Sequence, residues 1–567
     1  MNKNLTASQS DYAYFLPATS GFYSTYIGKQ RYSNYVDPAR IPASFGPLGI
    51  EAMNYLNPSA SFYFDHCLYS AGHANLDLSK PDPSEDMFRN RDRSTSWVLG
   101  DSGGFQIGKG VWEGEWNDPN GPIVAQRMAE AIAKGVELVP QLHPTGHPKT
   151  DKNGNPKYTK IDHVKIYQSK LDAAQKKREQ VLAWMDALMD YGMVLDVPAW
   201  VGRSPVGAKN SGIANYPQAV AATKYNNEYF IKHRTGACKF LNVLQGENHG
   251  QAEDWYQQMK DFCDPTKYDK PFNGWGMGGQ NMCDVELVLK RLVALKFDGL
   301  LENGHQDWMH FLGTSKLEWA LLLTDIQRAI RKYHNENFTI SFDCASPFLA
   351  TANGQIYVQT EIKDREKWLY RMLPSLDNKK YAKDTRLFQD VVVQDGHFDS
   401  FTTSPLMDGV EVNKICIYGP NDQNKIGKIG KTSWDSFTYA IMMGHNVWLH
   451  LNSVQEANRQ YDAGLCPAML VQENFERVYF KDVVDSIFSA PDRESALDII
   501  SKHDKFWQSI PGTRGYTGKK TVNSSTKYSE LFVEVDDSNV QLEDEVEFDE
   551  SATNKLDELE ASVHDIT

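Results

Sequence analysis

The sequence predicts an α/β protein whose core is a (β/α)8, TIM-like barrel. Short apolar runs recur along the chain, each ending on an acid, an amide or a pair of glycines. Stretches with helical spacing of apolar residues separate these runs, which is the alternation of a parallel sheet. The polar endings are spread over six runs rather than gathered at one point. An open sheet concentrates polar groups at a single switch point, whereas a closed barrel collects them around the rim formed by its strands' C-terminal ends.

Residues 1–45 are rich in Tyr, Ser and Pro without a sustained period, and read as an N-terminal extension over a larger domain. Two strand–helix alternations are expected between 49 and 101, with residues 60–64 as an apolar-aromatic strand. The first full motif is Val98-Leu99-Gly100-Asp101-Ser102-Gly103-Gly104-Phe105-Gln106. There a strand delivers Asp101 to the rim, and two glycines let the backbone turn tightly. Residues from about 110 to 165 are polar and turn-rich and read as an insertion, with 151–156 a loop or hairpin tip.

A helix follows over 166–191, where Leu171, Ala174, Val181, Trp184, Leu188 and Met189 fall near helical spacing. The run Met193-Val194-Leu195-Asp196-Val197-Pro198 again carries a carboxylate. Residues 240–244 end in Gln245-Gly246, 275–277 in Gly278-Gly279-Gln280, 310–312 in Gly313-Thr314, and 338–342 in Asp343-Cys344. Helical patterns occupy 284–296, 316–333, 431–460 and 484–507. The barrel, with its insertion and closing helices, is expected over 46–510. From about 515 to 567 the chain is Ser-, Asp- and Glu-rich, and reads as a disordered acidic tail.

Composition narrows the class further. The chain has 567 residues, 41% hydrophobic content and 13 Trp, 27 Tyr and 26 Phe, enough for a substantial aromatic-rich core. No signal sequence or membrane span is visible, so a cytoplasmic protein is expected. Seven scattered cysteines, with no CxxC pair, read as reduced thiols. The net charge of −15 argues against a generally basic nucleic-acid protein but leaves room for a local basic face. The segment 103–109 fits GxxxxGK, but Gly110 replaces the Ser or Thr of a P-loop.

Three rim carboxylates (Asp101, Asp196, Asp343), an amide (Gln245) and the Gly278-Gly279 pair have a common use. Two opposed carboxylates carry displacement at an anomeric carbon, and the remaining groups suit the edge of a flat heterocycle. At this point a family resemblance becomes visible. Asp101-Ser-Gly-Gly-Phe-Gln resembles the DSGG[FY]Q signature of the tRNA-guanine transglycosylase superfamily. Leu244-Gln245-Gly246 resembles its VQGG segment, Gly276-Met277-Gly278-Gly279 its AIGG segment, and His310-Phe311-Leu312-Gly313 its YLMG segment. Phe342-Asp343-Cys344 resembles FDC, continued by Pro347 and Asn353-Gly354-Gln355. Six collinear motifs span roughly residues 45–360, with a weaker echo at His445-Asn446.

The resemblance implies a (β/α)8 barrel that exchanges guanine in a polynucleotide for a 7-deazaguanine without breaking the strand. It implies Asp343 as the nucleophile on C1′ and Asp101 as general acid/base. Asp196 and Gln245 would bond the base edge, with Gly278 and Gly279 offering backbone. Phe105 and Leu312 would cover the two faces of the base.

The departures from the pattern narrow the substrate. Members acting on tRNA carry three cysteines and a histidine on zinc; here Cys416 stands alone and His445 takes the histidine's place. Two ligands do not make a tetrahedral site, so neither zinc nor another cofactor is expected. Leu349 and Ala352 stand where those enzymes have anticodon-reading arginines. The branch that fits is the DNA-guanine transglycosylase (DpdA type), with phage-encoded members that insert preQ0-like bases into DNA and shield it from restriction. The expected partners are DNA and a free 7-deazaguanine, in the host cytoplasm if the protein is phage-encoded, and a homodimer remains open. Phosphate contacts are expected from Arg89, Arg91 and Arg93, from Lys176, Lys177 and Arg178, and from Lys425, Lys428 and Lys431. The alternatives are a tRNA-guanine transglycosylase acting on RNA and a catalytically idle nucleic-acid-binding barrel.

Overall fold

The computed structural model describes residues 11–30, 38–80, 85–236, 238–374, 376, 379–415, 434–473 and 476–512. Within them the chain gathers into two compact units. The larger draws on Met1–Asp101, Trp184–Met193 and Thr235–Thr567, the smaller on Ser102–Ala183 and Val194–Arg234.

Eight parallel strands build the larger unit: β1 (Tyr14–Pro17), β2 (His66–Ser70), β3 (Trp97–Asp101), β4 (Tyr191–Met193), β5 (Lys239–Leu244), β6 (Gly274–Met277), β7 (Trp308–Phe311) and β8 (Thr339–Cys344). Their order in the sheet is β1-β8-β7-β6-β5-β4-β3-β2. A parallel bridge between Ala18 and Leu68, with the Thr19 N–H on the Leu68 carbonyl (2.9 Å), brings the two ends together. The sheet is thus nearly closed into a barrel. Its interior shows the same thing: Leu16, Leu68, Leu99, Met193, Leu241, Val243 and Trp308, from six different strands, form one buried cluster. Side chains from so many strands meet only if the sheet curls round on itself.

The strands' N-terminal ends are plugged by rings. His66 stacks between Trp97 (5.1 Å) and Trp308 (5.7 Å), and Tyr191 lies 4.7 Å from Trp308. The polar strand endings occupy the opposite rim. Helices flank the sheet, and their starts follow capping chemistry: Asn248 accepts from the Gln251 N–H and Asp284 from the Leu287 N–H. The helices His249–Met259, Val285–Phe297 and Leu317–Tyr333 follow β5, β6 and β7.

Two expectations need correction. Residues 14–17 are not part of an overlying extension but the barrel's first strand, a four-residue run too short to show a period. The strand expected at 60–64 is instead β2 at His66–Ser70; Phe62 and Phe64 are buried from irregular chain, Phe62 stacking on Tyr55.

In the smaller unit, the helix Pro122–Lys134 leads into an antiparallel pair, Val136–Pro140 with Tyr158–Asp162, within the expected insertion. Its core holds Trp116 and a buried Arg178, whose guanidinium lies 4.7 Å over Tyr225 and bonds Asn226 Oδ1 at 2.6 Å. Asn226 in turn donates to the Leu195 carbonyl (2.8 Å). The acidic tail from 515, Cys416, Lys425, Lys428 and Lys431 lie outside the described residues.

Candidate active site

β7 and β8 pair in register, with Ser341 beside His310. Alternate residues of a strand face the same side, so Trp308 and His310 of β7 and Ser341 and Asp343 of β8 all project from the inner wall. They form a hydrogen-bonded zigzag climbing from the aromatic plug to the rim. Trp308 Nε1–H donates to Ser341 Oγ (2.8 Å), Ser341 Oγ meets His310 Nδ1 (2.8 Å), and His310 Nε2 meets Asp343 Oδ1 (3.0 Å).

The roles along this chain follow from what each group can do. An indole N–H only donates, so Ser341 Oγ accepts there and has its own proton for His310 Nδ1. A carboxylate only accepts, so His310 presents Nε2–H to Asp343. A second donor, the Gly313 N–H, reaches the same Oδ1 at 3.0 Å, and the Thr314 N–H holds the Asp343 carbonyl at 2.6 Å. Neither side-chain bond uses Oδ2. His310 and Ser341 are completely buried, and Asp343 is 8% exposed. The result is a carboxylate fixed by one oxygen, with Oδ2 outside both bonds.

The other rim residues of the larger unit fall where the strand endings predict. Asp101 ends β3 beside Ser70, whose hydroxyl donates to Asp101 Oδ2 (2.5 Å), and its carbonyl accepts the Ala71 N–H. Asp343 pairs with Leu16 of β1 and Ser70 with Asp101, so β1 and β2 stand between the two carboxylates' strands on the side the Ala18–Leu68 bridge joins. Gln245 follows β5, nearly buried, and its amide lies over Gly278: a Cβ there would come within 2.8 Å of Gln245 Nε2. Gly279 follows at a positive φ of 56°. Leu312, half-buried, packs on the interior cluster, its N–H on the Met277 carbonyl (3.1 Å).

Asp196 and Phe105 belong to the smaller unit. Strand β4 ends at Met193, so Asp196 lies past its ladder, 6% exposed. The backbone of Gly104 passes so close that a Cβ there would sit 2.7 Å from Asp196 Oδ1. Gly103 holds φ 80° with Trp112 pressed against it, leaving a Cβ only 2.4 Å of room. The paired glycines of the motif are thus demanded by packing as well as by the turn. Phe105 meets Trp200 edge-on at 6.0 Å and carries Lys109 Nζ 5.5 Å from its ring centre.

Of the expected phosphate-contacting arginines, burial corrects Arg91 and Arg178. Arg91 pairs with Asp190 at 2.6 Å with its side chain fully covered, and the same Asp190 oxygen takes the Val98 N–H to start β3. Arg89 pairs with Glu85 (2.9 Å), and Arg93 donates to the Ala187 carbonyl (2.7 Å). Arg178 is a core residue; burial pulls it down to about 10. Lys177 lies over the Trp112 ring at 4.8 Å, and Lys176 is the exposed member of its trio.

His445 is buried and held within the protein. Its Nε2 bonds the Tyr357 carbonyl (2.8 Å), its ring stacks on Phe401 (5.0 Å), and burial pulls its pKa down to about 4. Its neighbour Asn446 joins the helix Ser346–Ala352 after β8 to the helix Ser436–Asp462, bonding Thr351 Oγ1 (2.9 Å) and the Tyr357 N–H (2.9 Å). Among the described residues, no three His, Cys, Asp or Glu side chains gather as a metal site. No helix there is long and apolar enough to cross a membrane.

A neutral buried histidine makes stability depend on pH. Unfolded, His445 takes up a proton near its ordinary 6.5; folded, it resists until about 4. The unfolded chain therefore binds more protons between those values, and stability falls as pH drops through that window. About 2 kcal/mol should be lost by pH 5 from this residue. Glu318 and Asp325, both pushed up to about 7 by burial, act with the opposite sign, so the difference between variants is the readout. Urea titrations should show His445→Gln losing less stability than the parent between pH 7 and 5; parallel losses would disprove the assignment.

Sequence reasoning passed over His310, Ser341, Trp308 and Ser70. A signal was available: polar residues at alternate positions in apolar strands point to a lined interior. No protein-family model matches the chain, and no curated protein matches it either.

Proposed function

We propose that this protein is a base-exchanging glycosyltransferase that replaces guanine in DNA with a preQ0-like 7-deazaguanine, so protecting the DNA from restriction. The observation that supports this reading most is the anchored carboxylate of Asp343. A nucleophile for an anomeric carbon needs one free oxygen at a fixed position, and the bonds from His310 and Gly313 to Oδ1 supply that. Asp101, ending β3 on the same rim, is the acid/base partner.

In the proposed sequence, Asp343 Oδ2 attacks C1′ as the C1′–N9 bond to guanine breaks, and Asp101 gives the departing base its proton. The aspartyl ester holds the sugar while guanine is replaced. Asp101, now ionised, takes the proton from N9 of the incoming 7-deazaguanine, whose nitrogen displaces Asp343 from C1′. The strand stays intact, and no cofactor enters the balance. Gln245 with the Gly278-Gly279 backbone serves the base edge, and Leu312 one face. The corresponding roles of Asp196 and Phe105 rest on the motif resemblance. A target base inside a duplex must be flipped out first.

The test is mass spectrometry of nucleosides from DNA and from tRNA, each incubated with the protein and free preQ0. A 7-deazaguanine nucleoside in the DNA is the expected result. Incorporation into tRNA alone would move the substrate to RNA, and none in either would leave a binding barrel.

A further inference from the structure

The antiparallel pair Val136–Pro140 and Tyr158–Asp162 does not stop at its last ladder pair. Beyond it three segments meet in a closed ring of backbone bonds. Gln141 N–H donates to the Lys157 carbonyl (2.8 Å), Lys157 N–H to the Lys149 carbonyl (2.7 Å), and Lys149 N–H to the Gln141 carbonyl (2.6 Å). Bridges Leu142–Pro148 and Thr150–Pro156 extend it, and each outer loop closes itself, His143 N–H on the His147 carbonyl and Asp151 N–H on the Asn155 carbonyl (both 2.8 Å). The outer half of the arm is thus braced by its own backbone bonds.

Its side chains are the reverse. Val136, Leu138, Leu142 and Tyr158 are each at least half exposed, beside Ile132 and Ile166, and few other large apolar residues are exposed among the described residues. Lys152, Lys157, Lys160 and Lys165 are exposed too, and Lys149 half-exposed. The arm's acids are occupied: Glu137 faces His163 Nε2 (3.3 Å), Asp151 accepts the N–H groups of Asn153 and Asn155, and Asp162 the Lys165 N–H. Among the described residues none of the five lysines has an ion-pair partner there. A chain of net charge −15 therefore carries a locally positive, stiff ribbon with rings and apolar side chains between the charges.

We infer that residues 136–165 form a nucleic-acid-gripping arm, its lysines on backbone phosphates and its exposed Tyr158 and Leu142 against bases. The partner is a polyanion because lysines outnumber acids five to three over residues 136–165. It is a polynucleotide rather than an acidic peptide because two-stranded ribbons lie along grooves, and apolar wedges and rings engage bases loosened from the stack. The inference deepens the proposed function by naming where the polynucleotide is held. Its readout is binding, so it stands or falls apart from the exchange chemistry.

The experiment uses the full chain and fluorescence anisotropy with a labelled short duplex and the matching single strand, from about 50 to about 200 mM salt. Replacing Lys149, Lys152, Lys157 and Lys160 together by alanine should weaken binding tenfold or more. It should also make the plot of log affinity against log salt shallower by about 3. A second variant, Leu142→Ser with Tyr158→Ser, should weaken binding while keeping the slope. Unchanged affinity and slope in the lysine variant overturn the inference. So does unchanged DNA binding with a loss of self-association in sedimentation, which would give the face to a second copy. Measured in an Asp343→Ala background, the arm's contribution should persist whether or not the parent exchanges bases.

Discussion

Asp343→Ala is expected to abolish base exchange, lowering the rate on the order of 10⁴-fold, because the proposed ester to C1′ forms on this carboxylate. The half-buried Gly313 N–H and the buried His310 Nε2–H lose this carboxylate in the variant, at a cost of about 1–3 kcal/mol, so circular dichroism must accompany the kinetics. Asp343→Asn separates the two effects. Its amide oxygen keeps the acceptor for both donors but its amide nitrogen cannot attack, so it should fold like the parent and be as inactive as alanine. The covalent enzyme–DNA species trapped by denaturation should vanish in both. Exchange at the parental rate in the asparagine variant would remove Asp343 from the nucleophile's role.

His310→Phe should keep the protein folded and able to bind DNA, yet lower kcat about 10²-fold. His310 donates to Asp343 Oδ1, so in the proposed mechanism it positions that carboxylate, and freeing it to turn costs the aligned approach. A ring of similar size fills the space, so packing alone predicts little change. His310→Gln, with an amide N–H in place of the imidazole N–H, should recover part of the loss. Equal rates in the parent and the phenylalanine variant would show that Gly313 suffices. A loss confined to KM would point to a binding role instead.

The contrast between strand endings and charge clusters shows what could be read from sequence. Asp101, Gln245, Gly278 and Asp343 were legible because an apolar run fixes where a parallel strand ends, and the rim follows from that. Asp196 was less so: its run is apolar through Pro198, but the ladder of β4 uses only Tyr191–Met193, since hydrophobicity marks burial and not pairing. Arg91 looked like a surface cation because its partner Asp190 lies ninety-nine residues away. The alternate polar residues behind Asp343 marked a lined interior, but the bonds that join them cross between strands and had no local signal. The arm was half visible: turn residues marked 151–156, but nothing local announced the three-way backbone ring that makes it stiff.

Strand β1 bears on the order of events during synthesis. Leu16 pairs with Asp343 and Pro17 with Cys344, so the first strand made waits for the last before its second edge is covered. At roughly 5–20 residues per second, the ribosome takes on the order of tens of seconds to deliver that partner. Throughout that time the growing sheet has an open, apolar edge, the kind that recruits chaperones or neighbouring chains. The strand that carries Asp343 is therefore seated only when the barrel shuts. A nascent chain released before residue 343 would carry most of the rim without Asp343.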